Sequence, residues 1–241
     1  MAVAGRHVPV SVPVAVHAHV AFTPSEDAAA PVGIVVDVLR ATSTIAQALA
    51  SGYRRVLCCT EIEDARRLRG EIEGSLVGGE RDAVRIDGFD VGASPREFLE
   101  PRADTLILST TNGTRTILRA AEQCEVVLLG SLLNLTAVAE EVRERGEDVA
   151  LFCAGFKGAF ALDDAYCAGR IVALLEAERS DAAIAAELVA GSFPDPHTAL
   201  LARTYGPPGL EEDILFCSRE SVLPVVPRLA RVTGAAAEIV A

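Results

Sequence analysis

Five times along this chain a short apolar, β-branched run is followed by a segment with helical periodicity, and that alternation limits the fold more than any other feature. The pairs are Gly33 to Leu39 (GIVVDVL) with ATSTIAQALASG, Val56 to Cys59 with Glu61 to Glu73, Leu106 to Ser109 with Thr114 to Ala121, Val126 to Leu129 with Leu135 to Arg145, and Val149 to Cys153 with Leu162 to Glu178. Continuous Val/Ile/Leu runs suit strands buried on both faces, and strand, helix, strand in turn build parallel βαβ units. The expected fold is α/β, three α/β/α layers around a mostly parallel sheet. Val14 to Phe22 alternates apolar with small or polar residues near Pro9 and Pro13, which predicts a half-buried strand at a sheet edge. Ser94-Pro95-Arg96-Glu97 reads as a capping box with proline at the first helical position. Beyond Glu178 the pattern weakens, with helical stretches at Asp181 to Ala190 and Thr198 to Thr204 among four prolines. Residues 1–241 read as a single domain, with 179–241 a candidate peripheral helical or lid lobe.

The 34 acidic and 22 basic side chains give a formal charge of −12, the wrong sign for a protein that holds phosphate backbones with clustered basic charge. No apolar run approaches the roughly 20 residues that cross a bilayer. The expected partner is thus neither nucleic acid nor membrane. Six cysteines lie mostly in apolar runs without a C-x-x-C pair, and no basic leader with a cleavage site opens the chain. A reduced, cytoplasmic protein is expected. No cysteine has an arginine six positions later, so cysteine-dependent phosphatase chemistry is set aside.

In an open parallel sheet, ligands collect at the carboxyl ends of the strands, where helix N-termini present free N–H groups. The first strand end carries Asp37, Arg40, Thr42 and Ser43. An Asp37–Arg40 ion pair with an N-cap would explain them without a ligand, but a carboxylate interrupting an apolar run needs a charged partner of some kind. After Leu106 to Leu108 comes Thr110-Thr111-Asn112-Gly113-Thr114-Arg115, whose Asn-Gly is ordinary turn chemistry and whose hydroxyls and arginine suit an anion. Ser131 follows the next strand, as a second anion contact or a turn residue. Lys157, the one lysine beside 21 arginines, lies between glycines after Val149 to Cys153, where a compact ammonium can meet an oxyanion. The carboxylate candidates for a hard divalent cation are Glu80, Asp163 and Asp164. One of the adjacent pair is explained equally well by the dipole of the helix it opens.

Taken in order, VVDVLRATST, LVGGERD, GFDVGASPREF, STTNGTR, GSLLN and CAGFKGAFALDDAYCAG resemble the 2-phosphosulfolactate phosphatase (ComB-like) family over Val14 to Gly169, with a fainter return at Asp213 to Pro227. The resemblance implies an α/β/α fold and an Mg2+-dependent phosphatase that converts 2-phosphosulfolactate to sulfolactate and phosphate, a step toward coenzyme M. Such a substrate carries phosphate, sulfonate and carboxylate, in keeping with several anion-accepting strand ends. Two positions depart from the family pattern: Ala93 stands where asparagine is expected and Glu220 where aspartate is usual. On this reading Asp37, Arg40 and Lys157 are catalytic. Thr42, Ser43, Ser131 and the 110–115 turn bind substrate, and Glu80, Asp163 and Asp164 hold Mg2+. The sequence leaves Asp37 three roles: base, metal ligand or nucleophile. Position 39 is leucine, so the D-x-D pattern of haloacid-dehalogenase phosphatases is not matched. The alternatives are a phosphatase for another small phosphorylated acid and a non-catalytic anion-binding relative. A homodimer is only the statistical default.

Overall fold

A computed structural model describes residues 16–81, 83–206, 208–234 and 236–241. The strands are β1 (His17–Ala21), β2 (Ala30–Val36), β3 (Arg55–Cys59), β4 (Leu76–Arg81), β5 (Val84–Arg85), β6 (Thr105–Ser109), β7 (Cys124–Gly130), β8 (Val149–Cys153), β9 (Glu178–Arg179), β10 (Arg228–Thr233) and β11 (Ala236–Val240). The α-helices are α1 (Ala41–Ala50), α2 (Ile62–Glu71), α3 (Gly113–Gln123), α4 (Leu135–Arg145), α5 (Leu162–Leu174), α6 (Asp181–Gly191), α7 (Pro196–Leu201) and α8 (Glu211–Cys217). All five expected strand–helix pairs are present. The capping box opens a single 3-10 turn, Pro95–Phe98, rather than an α-helix. Of the strand expected from Val14, the part before Val16 lies outside the described residues.

The sheet order is β5-β4-β6-β3-β11-β10-β7-β2-β8-β1-β9. Two parallel blocks, β7-β2-β8-β1-β9 and β4-β6-β3, are joined by the β10–β11 hairpin, which is antiparallel to its neighbours on both sides. The junction is narrow, since β10 meets β7 at one registered pair, Arg228 with Leu128. β1 is not the outermost strand as its prolines suggested: it pairs with β8 over four residues and has the two-residue β9 outside it.

The period of two along each strand sorts its side chains into separate cores. Val32, Ile34, Val36, Leu128, Val149 and Leu151 pack with α4, α5 and α6 on one face. Val35, Val127, Leu129, Ala150 and Phe152 share the opposite face with α1 and α3. That second core also contains Val56, Cys58, Leu106 and Leu108 of the other block, so both blocks cover the same two helices. Leu57, Cys59, Val77 and Ile107 turn outward against α2. Apolar side chains on both faces explain the unbroken Val/Ile/Leu runs, at roughly 1.5–3 kcal/mol for each large side chain fully buried. Because α1 follows β2 and α3 follows β6, sharing that layer brings the carboxyl ends of strands from both blocks together. Among the described residues no helix is long and apolar enough to cross a membrane.

Candidate functional site

A pocket opens where those strand ends meet. Asp37, Arg40 and Ala41 come from the β2–α1 connection, and Thr110, Thr111 and Asn112 from the β6–α3 connection. Glu80 comes from the end of β4, Phe156 and Lys157 from the loop after β8, and Arg203, Tyr205 and Gly206 from the α7–α8 connection. The first turns of α1 and α3, with their N–H groups and positive dipole ends, adjoin this space.

Asp37 is buried, and its Oδ1 accepts the Ala41 amide at 3.2 Å, the first N–H of α1. Burial pushes its carboxyl up to about 7, against the opposing Ala41 hydrogen bond and with further upward push from the charges of Asp163 and Glu80. Its Oδ2 lies over Gly113, where an added Cβ would stand 2.7 Å from that oxygen and 2.5 Å from the Ala41 Cβ. Gly113 is therefore a glycine because the start of α3 could not otherwise pack this closely against the β2–α1 connection. Gly113→Ala should lower activity at least tenfold and cost about 1–3 kcal/mol of stability, read by enzyme assay and thermal unfolding.

Arg40 does not pair with Asp37. Its Nη1 donates to Asp213 Oδ2 at 2.7 Å and its Nη2 to the Ala83 carbonyl at 3.4 Å, and the peptide joining it to Leu39 is cis. Asp213 also accepts Ser94 Oγ at 2.6 Å and Arg96 Nε at 3.0 Å. Burial pushes the Asp213 carboxyl up, but hydrogen bonds from Ser94, Arg40 and Arg96 outweigh it and hold it below the usual carboxylate range.

Lys157 stands at φ +51° and Gly158 at +83°, within a turn closed by reciprocal 3.0 Å hydrogen bonds between Phe156 and Ala159. Two successive left-handed residues mark a type I′ turn, where lysine is disfavoured; a strained position of this kind commonly accompanies function. Its Nζ lies 5.4 Å from the centre of the Phe156 ring.

Of the other expected site residues, several serve the frame of the pocket and two, Ser131 and Arg115, lie outside it. Thr42 Oγ1 bonds both the amide and the carbonyl of Asp37, and Ser43 Oγ donates to the Val38 carbonyl at 2.8 Å, so both hydroxyls hold the backbone that carries Asp37. Asp164 accepts the Val38 and Gly155 amides, each at 2.9 Å, and thereby ties the loop after β2 to the loop after β8. Burial, then Asp163 and Asp37, raise its carboxyl against those two amides. Thr110, in the β6–α3 connection, and Thr114, in the first turn of α3, bond each other at 3.0 Å. Ser131 binds Asn134 away from the pocket, and Arg115 is exposed. Asp163 accepts the Tyr205 hydroxyl, and burial raises it to about 6, opposed by backbone hydrogen bonds and Arg203.

Of the four carboxylates, Asp37 and Glu80 line the pocket, Asp163 stands behind Tyr205, whose hydroxyl it accepts, and both oxygens of Asp164 are taken by backbone amides. Glu80 gives one oxygen to the Ala83 amide at 2.7 Å. Among the described residues no group of three or more His, Cys, Asp or Glu side chains is disposed as a metal cluster. Mg2+ commonly takes only one or two carboxylates, with water and substrate completing its shell, and the charges of Asp163 and Glu80, which push the Asp37 carboxyl up, are negative charge a cation would neutralise. The donor set fits on that ground.

Asp213 as the partner of Arg40, and Phe156, Arg203 and Tyr205 as pocket residues, were not anticipated from the sequence. An arginine and a tyrosine ahead of Gly206-Pro207-Pro208-Gly209 were the available signal. Of the two departures, Ala93 lines the pocket and its carbonyl accepts Thr44 Oγ1 at 2.8 Å, while Glu220 pairs with Arg170 at 2.7 Å outside it.

A family model described as 2-phosphosulpholactate phosphatase matches residues 19–231. A protein of Carboxydothermus hydrogenoformans named probable 2-phosphosulfolactate phosphatase is 38% identical over 202 residues, which is 80% of this chain and 84% of its own. Proteins of the same name from Clostridium acetobutylicum and Thermotoga maritima are 36% and 39% identical, each over 81% of this chain and 88% of their own.

Proposed function

The chain belongs to the 2-phosphosulpholactate phosphatase family, and from that premise we propose that it hydrolyses the phosphate monoester of a small acid, 2-phosphosulfolactate, to sulfolactate and phosphate with Mg2+. One observation supports the reading above others: Asp37, Arg40 and Lys157, separated by up to 120 residues, line one pocket at the ends of β2 and β8. Arg40, fixed by Asp213, and Lys157, presented on its turn, neutralise charge on the phosphoryl oxygens as the ester bond lengthens. The N–H groups at the start of α3 add to that field.

Asp37 takes the proton of the attacking water at Oδ2. Burial raises the Asp37 carboxyl above the usual carboxylate range, which suits it to that task, since a base works best with a pKa close to the working pH. Glu80 and Asp163 would hold the Mg2+. When bound, it would add Lewis-acid stabilisation of the phosphoryl group. Asp164 keeps the two loops in register and leaves the chemistry to its neighbours.

The test is phosphate release from a panel of phosphomonoesters by the purified protein. The expected result is a kcat/KM for 2-phosphosulfolactate at least tenfold above that for esters without the sulfonate, abolished by a strong chelator and restored by Mg2+. A flat profile would point to a different phosphorylated acid as substrate. Binding without phosphate release at any pH or metal concentration would make the chain a non-catalytic anion binder, and activity indifferent to chelation would remove the metal.

A further inference from the structure

Arg203 lines the same pocket as Arg40 and Lys157, yet no strand-end motif contains it. We infer that Arg203 receives the non-reacting acid group of the substrate, a sulfonate or carboxylate, and so sets specificity while Arg40 and Lys157 serve the phosphoryl end. This rests on the phosphatase reading above.

The two arginines differ in what already occupies them. The Arg40 guanidinium is committed to Asp213 at 2.7 Å, with both side chains nearly buried at 9% and 5% exposure. Arg203 makes one hydrogen bond, from Nη1 to the Tyr205 carbonyl, and among the described residues no carboxylate lies within ion-pair distance of it. Its Nε is buried with no acceptor. A buried donor without an acceptor is costly, and native structures rarely keep one unless a ligand or water fills the place. Nε and the second Nη form the planar fork that matches two oxygens of a carboxylate or sulfonate.

Its position is also built. The Tyr205 ring stacks on Phe156 with centroids 4.9 Å apart and planes at 25°, and its hydroxyl donates to Asp163. Arg203 lies 6.0 Å from the Tyr205 ring centre and Lys157 lies 5.4 Å from that of Phe156. Each of the two cations thus lies against one ring of the same stacked pair. A small molecule with two anionic groups can use two such cations, whereas a lone phosphate has one charge centre to offer.

Arg203 also lowers the Asp163 carboxyl, so a purely structural part, balancing that charge, is the competing account. Substrate choice separates the two. We would compare wild type, Arg203→Gln and Arg203→Lys on 2-phosphosulfolactate, on phospholactate, which lacks the sulfonate, and on phenyl phosphate, which lacks both acid groups. Arg203→Gln should lose roughly ten- to hundredfold more kcat/KM on the first substrate than on phenyl phosphate, mainly through KM. A differential loss shared by phospholactate assigns the carboxylate, and one confined to 2-phosphosulfolactate assigns the sulfonate. Arg203→Lys keeps the charge but not the fork, and should recover only part of that loss. Equal losses on all three substrates, or full rescue by lysine, would overturn the inference.

Sulfolactate, which has no phosphate, gives a readout that does not need turnover. Its affinity, measured by calorimetry, should fall at least tenfold in Arg203→Gln. Unchanged affinity, or no binding even by wild type, would again overturn the inference. Absence of phosphate release by wild type from every ester would instead refute the phosphatase reading, with sulfolactate binding still deciding the part of Arg203.

Discussion

Asp37→Asn should reduce phosphate release by roughly 10²–10⁴-fold, the range for loss of a positioned general base, and at the same time make the metal-free protein more stable above neutral pH. The second half follows from burial. The Asp37 carboxyl is raised from 3.8 to about 7 and that of Asp163 to about 6, in both cases chiefly by desolvation. A group whose folded value lies above its unfolded one holds its proton more tightly in the folded chain. Its contribution to stability is complete below about pH 4 and is lost as pH rises through about 6 to 7. At pH 8 the wild-type fold carries an ionised, desolvated carboxylate that asparagine does not, while the amide oxygen can still accept the Ala41 N–H. The gain is on the order of a few kcal/mol, or roughly 5–10 °C in Tm. It should vanish near pH 4, where the wild-type acid is neutral. Thermal unfolding of both proteins in chelator at pH 4 and pH 8 measures it. An Asp37→Asn protein no more stable than wild type at pH 8 would contradict the burial argument, and one that kept full activity would remove Asp37 from the chemistry.

Asp213→Asn should act in the opposite direction on stability and nearly as strongly on activity. Asp213 is the carboxylate on which Arg40, Arg96 and Ser94 converge, and with Arg40 it is almost wholly removed from water. Taking away one partner of a buried ion pair strands the other, at a typical cost of 3–5 kcal/mol, whereas exposed pairs such as Arg54 with Asp104 contribute little. The Arg40 guanidinium would then leave its fixed position, and kcat should fall at least tenfold. The folded Asp213 carboxyl lies below its unfolded value, so its contribution is present above about pH 4 and is lost as pH falls further. The loss of stability in Asp213→Asn should therefore be large at pH 7 and shrink toward pH 3. If Arg40→Gln and Asp213→Asn had additive effects on unfolding, the two side chains would not be coupled as their geometry requires.

Much of the scaffold was legible because the forces that form it are local. The apolar run before Asp37 stops being a strand within a residue or two of that carboxylate, and Leu135–Arg145 begins and ends where its pattern says it should, closed in the structure by Gly146 in the left-handed region at φ +63°. Asp37 itself stood out because a charge within a buried run must be accounted for. Thr42 and Ser43 show the limit of that logic. Hydroxyls at a strand end suit an anion and suit backbone groups equally, and here the backbone of Asp37 and Val38 takes them.

Sequence alone determined the α/β alternation, the helices and strands of its five repeating pairs, and the polar character of the strand ends, since side-chain period and burial act over a few neighbouring residues. Only the tertiary structure decided that β10 and β11 join two parallel blocks, that Arg40 answers Asp213 across 173 positions, and that Arg203 and Tyr205 complete the pocket. β10 is largely exposed and carries little apolar pattern, so nothing in its own residues marks it as a strand. Such pairings depend on which surfaces remain to be covered after the blocks have packed on α1 and α3, and no short window of residues contains that information.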